Sequence, residues 1–203
     1  VYTMVHDQLG AMACRILVPG YSEIYPVEDL IWDNTNKALL FREDILNLHR
    51  LDNKALTALL DRLENNELDE YADIATLIGI EFDENTDWGQ LTVLELKLLI
   101  HLALKQLEAA QDLTGAFLQY NDNTVERKLF YQALNVVLEV ALNPELEIEN
   151  YEHNFRRMFG SARMDAVLGS VNGNVRFFGL TPTSMKLEGL DRHHRLIASY
   201  KKL

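Results

Sequence analysis

Asp83, Asn85 and Asp87 stand at the first, third and fifth places of a calcium-binding loop, where alternating side-chain oxygens converge on a hard cation. The pattern then breaks. The sixth place, which needs Gly for a sharp turn, is Trp88, and the twelfth, which needs a bidentate Glu, is Leu94. The stretch reads as an acidic loop between helices. His193 and His194 suggest a metal, but neighbours on a helix diverge by about 100° and need outside ligands to share an ion, so they read as part of a polar helix face. His101 sits in an apolar run with no nucleophile or carboxylate near it in sequence, and reads as a hydrogen-bonded core histidine. Gly169 to Gly173 lacks both the Gly-Lys-Ser/Thr ending of a phosphate loop and the Gly-flanked Ser of a nucleophile elbow. On these readings no residue receives a catalytic, cofactor-binding or metal-binding role.

Composition narrows the class further. The 203 residues are 48% hydrophobic and 25% charged, enough apolar surface to fold. Lys and Arg total 19 against 31 Asp and Glu, and a net charge of −12 repels a phosphate backbone, so direct nucleic-acid binding is not expected. Cys14 is the single cysteine, which excludes an internal disulfide and a thiolate-rich metal centre and fits a reducing, cytoplasmic setting. The longest apolar run, Leu98 to Leu104, is broken by His101 and is too short to span a bilayer, so no membrane partner is expected. Val1 opens directly into a strand-like run, which reads as a cut inside a longer protein.

The elements that would position any site fall into two parts. Val1 to Val5 and Ala11 to Val18 are rich in β-formers, with His6 to Gly10 between them as a loop and Pro19-Gly20 as a turn. Tyr21 to Leu30 reads as a connector, with Pro26 holding Tyr25 extended. The period then becomes helical. Expected faces are Leu39, Leu40, Ile45, Leu46 and Leu48; then Leu56, Leu59, Leu60 and Leu63; then Leu68, Tyr71, Ala75 and Ile78, stopping at Gly79. Thr92-Val93-Leu94-Glu95 matches a capping box, and the helix it opens is polar only at Glu95, Lys97 and His101, so it must lie between neighbours.

Further helices follow. One carries Leu107, Ala110, Leu113, Phe117 and Tyr120. The next starts after Asn123 and ends before Asn143-Pro144, and a third carries Tyr151, Phe155 and Met158 and stops at Gly160. Val175 to Leu180 reads as a strand or a packed loop, before a last helix with Leu187, Leu190, Ile197 and Tyr200. Thr92-Val93 and Thr124-Val125 open helices 32 residues apart, near the roughly 34-residue tetratricopeptide period, with Ala110 and Phe117 at its small and large packing positions. The Trp and Leu-Gly of that repeat's first helix are absent, so degenerate repeat and irregular helical bundle both stand. The expected fold is mostly α, with tetratricopeptide-like helical hairpins over 31–203 preceded by a short β segment over 1–30.

The stretch from His6 to Gly10 through Ala13-Cys14-Arg15-Ile16-Leu17-Val18-Pro19-Gly20, then Ile24-Tyr25-Pro26 and Glu28-Asp29-Leu30, resembles the closing strand of the YcaO family core. The likeness continues more faintly through Tyr151 to Gly160 and Phe178-Gly179-Leu180. It implies that residues 1–30 end such a core and that a full-length protein binds ATP and Mg to activate an amide by phosphorylation, through ligands upstream of this chain. Azoline-forming members end in a proline-rich tail, whereas this chain has four prolines and closes on Tyr200-Lys201-Lys202-Leu203. The resemblance therefore points to the branch with a helical C-terminal extension. It implies a homodimer through that extension, and the methylthiotransferase RimO or its ribosomal-protein substrate as a further partner. Two roles follow: an assembly or protein-interaction domain, or a structural part that completes a nucleotide site near Arg15, whose side chain on a strand faces away from Cys14 and Ile16.

With no phosphate loop or acidic cation cluster in its sequence, the isolated chain should bind Mg-ATP more weakly than about 10 μM, or roughly −7 kcal/mol. Calorimetric titration checks this, and tighter binding contradicts it.

Overall fold

A computed structural model of the chain describes residues 2–6, 11–15, 37–83, 86–120 and 124–200. The chain divides into two units, Val1–Asn36 and Lys37–Leu203. In the first, β1 (Tyr2–His6) pairs antiparallel with β2 (Ala11–Arg15), with Tyr2 opposite Arg15 and Met4 opposite Ala13. The expected turn at Pro19-Gly20, the connector with Tyr25-Pro26 and the end of the second strand at Ile16 to Val18 lie outside the described residues.

The second unit is mostly helical. Its α-helices are α1 (Lys37–Leu46), α2 (Asn53–Asn65), α3 (Ile74–Ile78), α4 (Val93–Ala103), α5 (Leu107–Tyr120), α6 (Val125–Ala141), α7 (Ile148–Phe159), α8 (Ser161–Val171) and α9 (Asp191–Tyr200). This unit makes α4 its centre because a helix apolar on nearly every side must find cover on every side. Every residue from Val93 to Leu102 is buried, including Glu95, Lys97 and His101. Around it pack α2, α5 and α8, while α6 packs against α5, α7 and α8.

Several expected faces shift. In α1 the core stripe is Ala38, Phe41 and Ile45, at helical spacing, which leaves Leu39 70% and Leu40 50% exposed. In α2 the expected Leu56, Leu59, Leu60 and Leu63 are all buried, and Asp52 caps the helix by accepting the Ala55 N–H at 2.8 Å. The third helix is one turn and a half, not three. Leu68 and Tyr71 stay outside it because the carbonyls of Glu70 and Ala72 accept from Leu94 and Val93 of α4, and the Tyr71 N–H donates to Asp69 at 2.9 Å. Met158 on α7 is exposed, and Leu187 and Leu190 lie half-buried in the turns before α9 rather than on it.

Val175 to Leu180 is a packed loop with Phe177 and Leu180 buried, not a strand. The unforeseen α8 runs through Gly169 because Val175 folds back onto it: a Cβ there would meet Val175 Cγ2 at 2.6 Å. Beyond α8 the chain returns to the start of the unit. Arg176 donates to the Leu51 carbonyl at 3.1 Å, Trp88 Nε1 to the Thr181 carbonyl at 2.8 Å, and Thr183 to the Leu46 carbonyl at 2.8 Å. His193 of α9 is buried and accepts the Glu81 N–H on Nδ1 at 3.2 Å, so only His194 keeps the expected exposed place on the helix.

Leu98, fully buried on the central helix, reports on this packing. Leu98→Ala should cost about 2–5 kcal/mol in urea unfolding. A loss below about 1 kcal/mol contradicts α4 as the centre of the core.

Candidate functional site

The first turns of three helices meet at one place. The N-terminal turn of α6 supplies Thr124, Glu126 and Arg127. That of α8 supplies Ala162 and Arg163, and α4 supplies Glu95. Together with Asp87, Phe130, Tyr131, Ala166 and Phe178 they line a pocket of about 460 Å³.

At its floor Glu95 and Arg127 form a buried ion pair. Arg127 Nε donates to Glu95 Oε1 at 3.0 Å, and a second guanidinium nitrogen donates to Glu95 Oε2. The Tyr131 hydroxyl donates to Glu95 Oε1 at 2.5 Å. Arg127 also reaches the Asp87 carbonyl at 3.4 Å and its carboxylate at 3.3 Å. All the neighbours of Glu95 named here donate to it, which is the arrangement of an ionised carboxylate. Burial pushes its pKa upward against the pull of Arg127 and Tyr131. Burial also works against the Arg127 cation, but the adjacent Glu95 outweighs it and raises the pKa. Burial, reinforced by the Glu95 charge, lifts the Tyr131 phenol well above its usual range and keeps it a donor.

The local sequence explains this placement. Thr92 Oγ1 accepts the Glu95 N–H at 3.3 Å, which is half of the expected capping box. The other half fails, because the Glu95 side chain turns inward to Arg127 instead of back to Thr92. Asp87 is held by Gly179, whose φ of +82° favours glycine and whose missing Cβ leaves room for the Asp87 carboxylate, 2.7 Å from where that atom would stand. Beside Gly179, the Phe178 ring stacks on Phe130 at 3.9 Å between centroids, and Phe130 meets Tyr131 edge-on at 5.1 Å. At the rim, Arg163 pairs with Glu126 at 2.5 Å and also donates to the Phe159 carbonyl.

The residues weighed for metal or acid–base chemistry on their sequence pattern fall elsewhere or take other roles here. Asp87 neutralises Arg127, Asn85 lies outside the described residues, and no metal-holding cluster occurs among the described ones. His101 is a buried, hydrogen-bonded histidine, 2.7 Å from Gln106 through Nδ1, although a carboxylate does approach it across helices, Glu64 at 3.9 Å. Arg127 and Tyr131 carry no local signal of a role. What could point to them is Glu95 itself, an acid inside an all-buried helix that needs a cation, and the 32-residue offset from Thr92 to Thr124, which maps Glu95 onto Arg127.

Tyr131→Phe keeps the ring and removes one donor from a buried carboxylate. It should cost about 1.5–3 kcal/mol of stability with an unchanged urea m-value. An unaltered unfolding midpoint contradicts the assigned bond.

Comparison with known proteins places the chain in a family. The YcaO cyclodehydratase C-terminal domain matches residues 38–203. An uncharacterized protein of Haemophilus influenzae is 34% identical over 208 residues, covering 100% of this chain and 35% of that protein. The ribosomal protein S12 methylthiotransferase accessory factor YcaO of Escherichia coli is 31% identical over 207 residues, again 100% of this chain and 35% of the relative. The chain thus spans about a third of the length of these relatives. Its helical unit and its full-length likeness to both proteins show that the chain belongs to the YcaO family, as the C-terminal domain.

Proposed function

We propose that the chain is the assembly and protein-interaction domain of a YcaO-type, ATP-dependent protein that assists β-methylthiolation of an aspartate in a small-subunit ribosomal protein by RimO. The observation that carries this reading is the 31% identity, over the whole chain, to a protein named as the S12 methylthiotransferase accessory factor. On this reading ATP and Mg bind in the larger remainder of the polypeptide, β1 and β2 are the last strands of that core, and the helical domain works in the cytoplasm.

Tetratricopeptide-like pairing is supported by three features. Thr92 and Thr124 precede α4 and α6 at a 32-residue spacing, Ala110 and Phe117 are buried where a repeat needs small and large residues, and α6 packs on α5, α7 and α8. A helical array of this kind binds proteins by surface rather than by chemistry. Self-association is the first such contact, in a twofold dimer whose interface must be largely apolar because each chain carries a charge of −12.

Two measurements test the reading. Light scattering after size exclusion should give about twice 23.3 kDa in moderate salt, and a monomer at high micromolar concentration contradicts the dimer. In the full-length protein, deletion of 38–203 should abolish support of S12 methylthiolation, read by mass spectrometry. Unchanged modification contradicts the assembly role.

A further inference from the structure

The pocket between the first turns of α6 and α8 has a polarity that selects its occupant. Both of its cations are committed: Arg127 donates to Glu95 and Asp87, and Arg163 donates to Glu126 and to the Phe159 carbonyl. An incoming anion therefore competes with carboxylates already in place. Its acids are not saturated. Glu126 is 83% exposed and uses one oxygen, Oε2, toward Arg163; Asp87 uses one, Oδ1, toward Arg127; the second oxygen of each accepts from no described residue. With Glu95, the lining holds three carboxylates against two guanidinium groups, one negative charge in excess.

The wall is aromatic. Phe178 stacks on Phe130, is 37% exposed and lines the pocket. A partly exposed phenyl ring beside carboxylate oxygens with acceptor capacity left favours a planar cation, which gains from the ring quadrupole and forks its N–H groups onto oxygen. A lysine ammonium, compact and strongly hydrated, gains less from the same place. The remaining lining, Ala162 and Ala166, is small and apolar and suits the methylene stem of a long side chain.

We propose that this pocket is a socket for an arginine side chain presented by an exposed segment of a partner protein. The inference rests on the reading of the domain as a protein-interaction module and names the contact it uses. A −12 chain attracts a basic partner at long range, and the socket then fixes where one arginine of that partner lands.

The test uses the 203-residue chain, ¹⁵N-labelled, titrated with the peptide acetyl-Gly-Arg-Gly-amide and followed by amide shifts. Saturable shifts are expected at 124–127, 162–166 and 178, with a dissociation constant on the order of 1 mM. The citrulline peptide, planar but neutral, should bind at least about tenfold more weakly. The exposed substitution Glu126→Gln, which does not disturb the core, and Phe178→Ala should each weaken the arginine peptide about three- to tenfold. Equal binding of the citrulline peptide, shifts confined to other surfaces, or the same shifts with acetyl-Gly-Glu-Gly-amide would each overturn the proposal. The titration needs neither ATP nor a methylthiotransferase, so its outcome is separable from that of the deletion experiment.

Discussion

Glu95 and Arg127 impose the constraint on which the rest of the helical unit depends. A carboxylate cannot be carried into an all-buried helix without a partner, because an unpaired buried charge costs several kcal/mol and the whole domain is stabilised by only about 5–15 kcal/mol. Arg127 meets that need from the first turn of α6, and the requirement ties the start of α6 to the start of α4. The pair itself, set against hydrophobic residues of the same volume, adds little net stability. What it adds is a penalty for every arrangement that separates the two helix starts.

The consequences propagate outward from that contact. Arg127 has a nitrogen left over, and Asp87 accepts from it, which ties the loop before α4 to the start of α6. Asp87 in turn occupies the space beside Gly179, so the loop after α8 closes over the same end of the helical unit and brings Phe178 onto Phe130. Trp88, next to Asp87, donates to the Thr181 carbonyl and fastens that loop again. A pocket therefore forms where helix starts and two loops converge, and its charges are set by the pairing that built it.

Much of this is legible in the sequence, and the failures have physical causes. The central helix announces itself because seven of the ten positions from Val93 to Leu102 are apolar, and Thr92 marks its start. The Leu56, Leu59, Leu60 and Leu63 face is equally plain, since one periodic stripe meets one neighbour. Leu39 and Leu40 mislead because a leucine count ignores phase, and Phe41 with Ile45 sets the phase of that helix. The segment around Tyr71 misleads because its apolar spacing is helical, while its carbonyls are taken by the first turn of α4. Helix α8 is hidden by Gly160 and Gly169, residues that usually end helices, and only the packing of Val175 explains the second. Arg127 is invisible to local pattern because its partner lies 32 residues away. Long-range charge pairing leaves no periodic trace unless the segments are first aligned as repeats.

The coupling between Glu95 and Arg127, from which all of these contacts follow, is measured directly by a double-mutant cycle. Urea unfolding would be followed for the wild type, Glu95→Leu, Arg127→Met and the double variant. Each single change should cost about 3–5 kcal/mol by stranding its partner, and the double variant should lose at least about 2 kcal/mol less than the sum. Single losses that add to within about 0.5 kcal/mol would show that the two residues do not act as a pair, and would contradict the tie between the two helix starts.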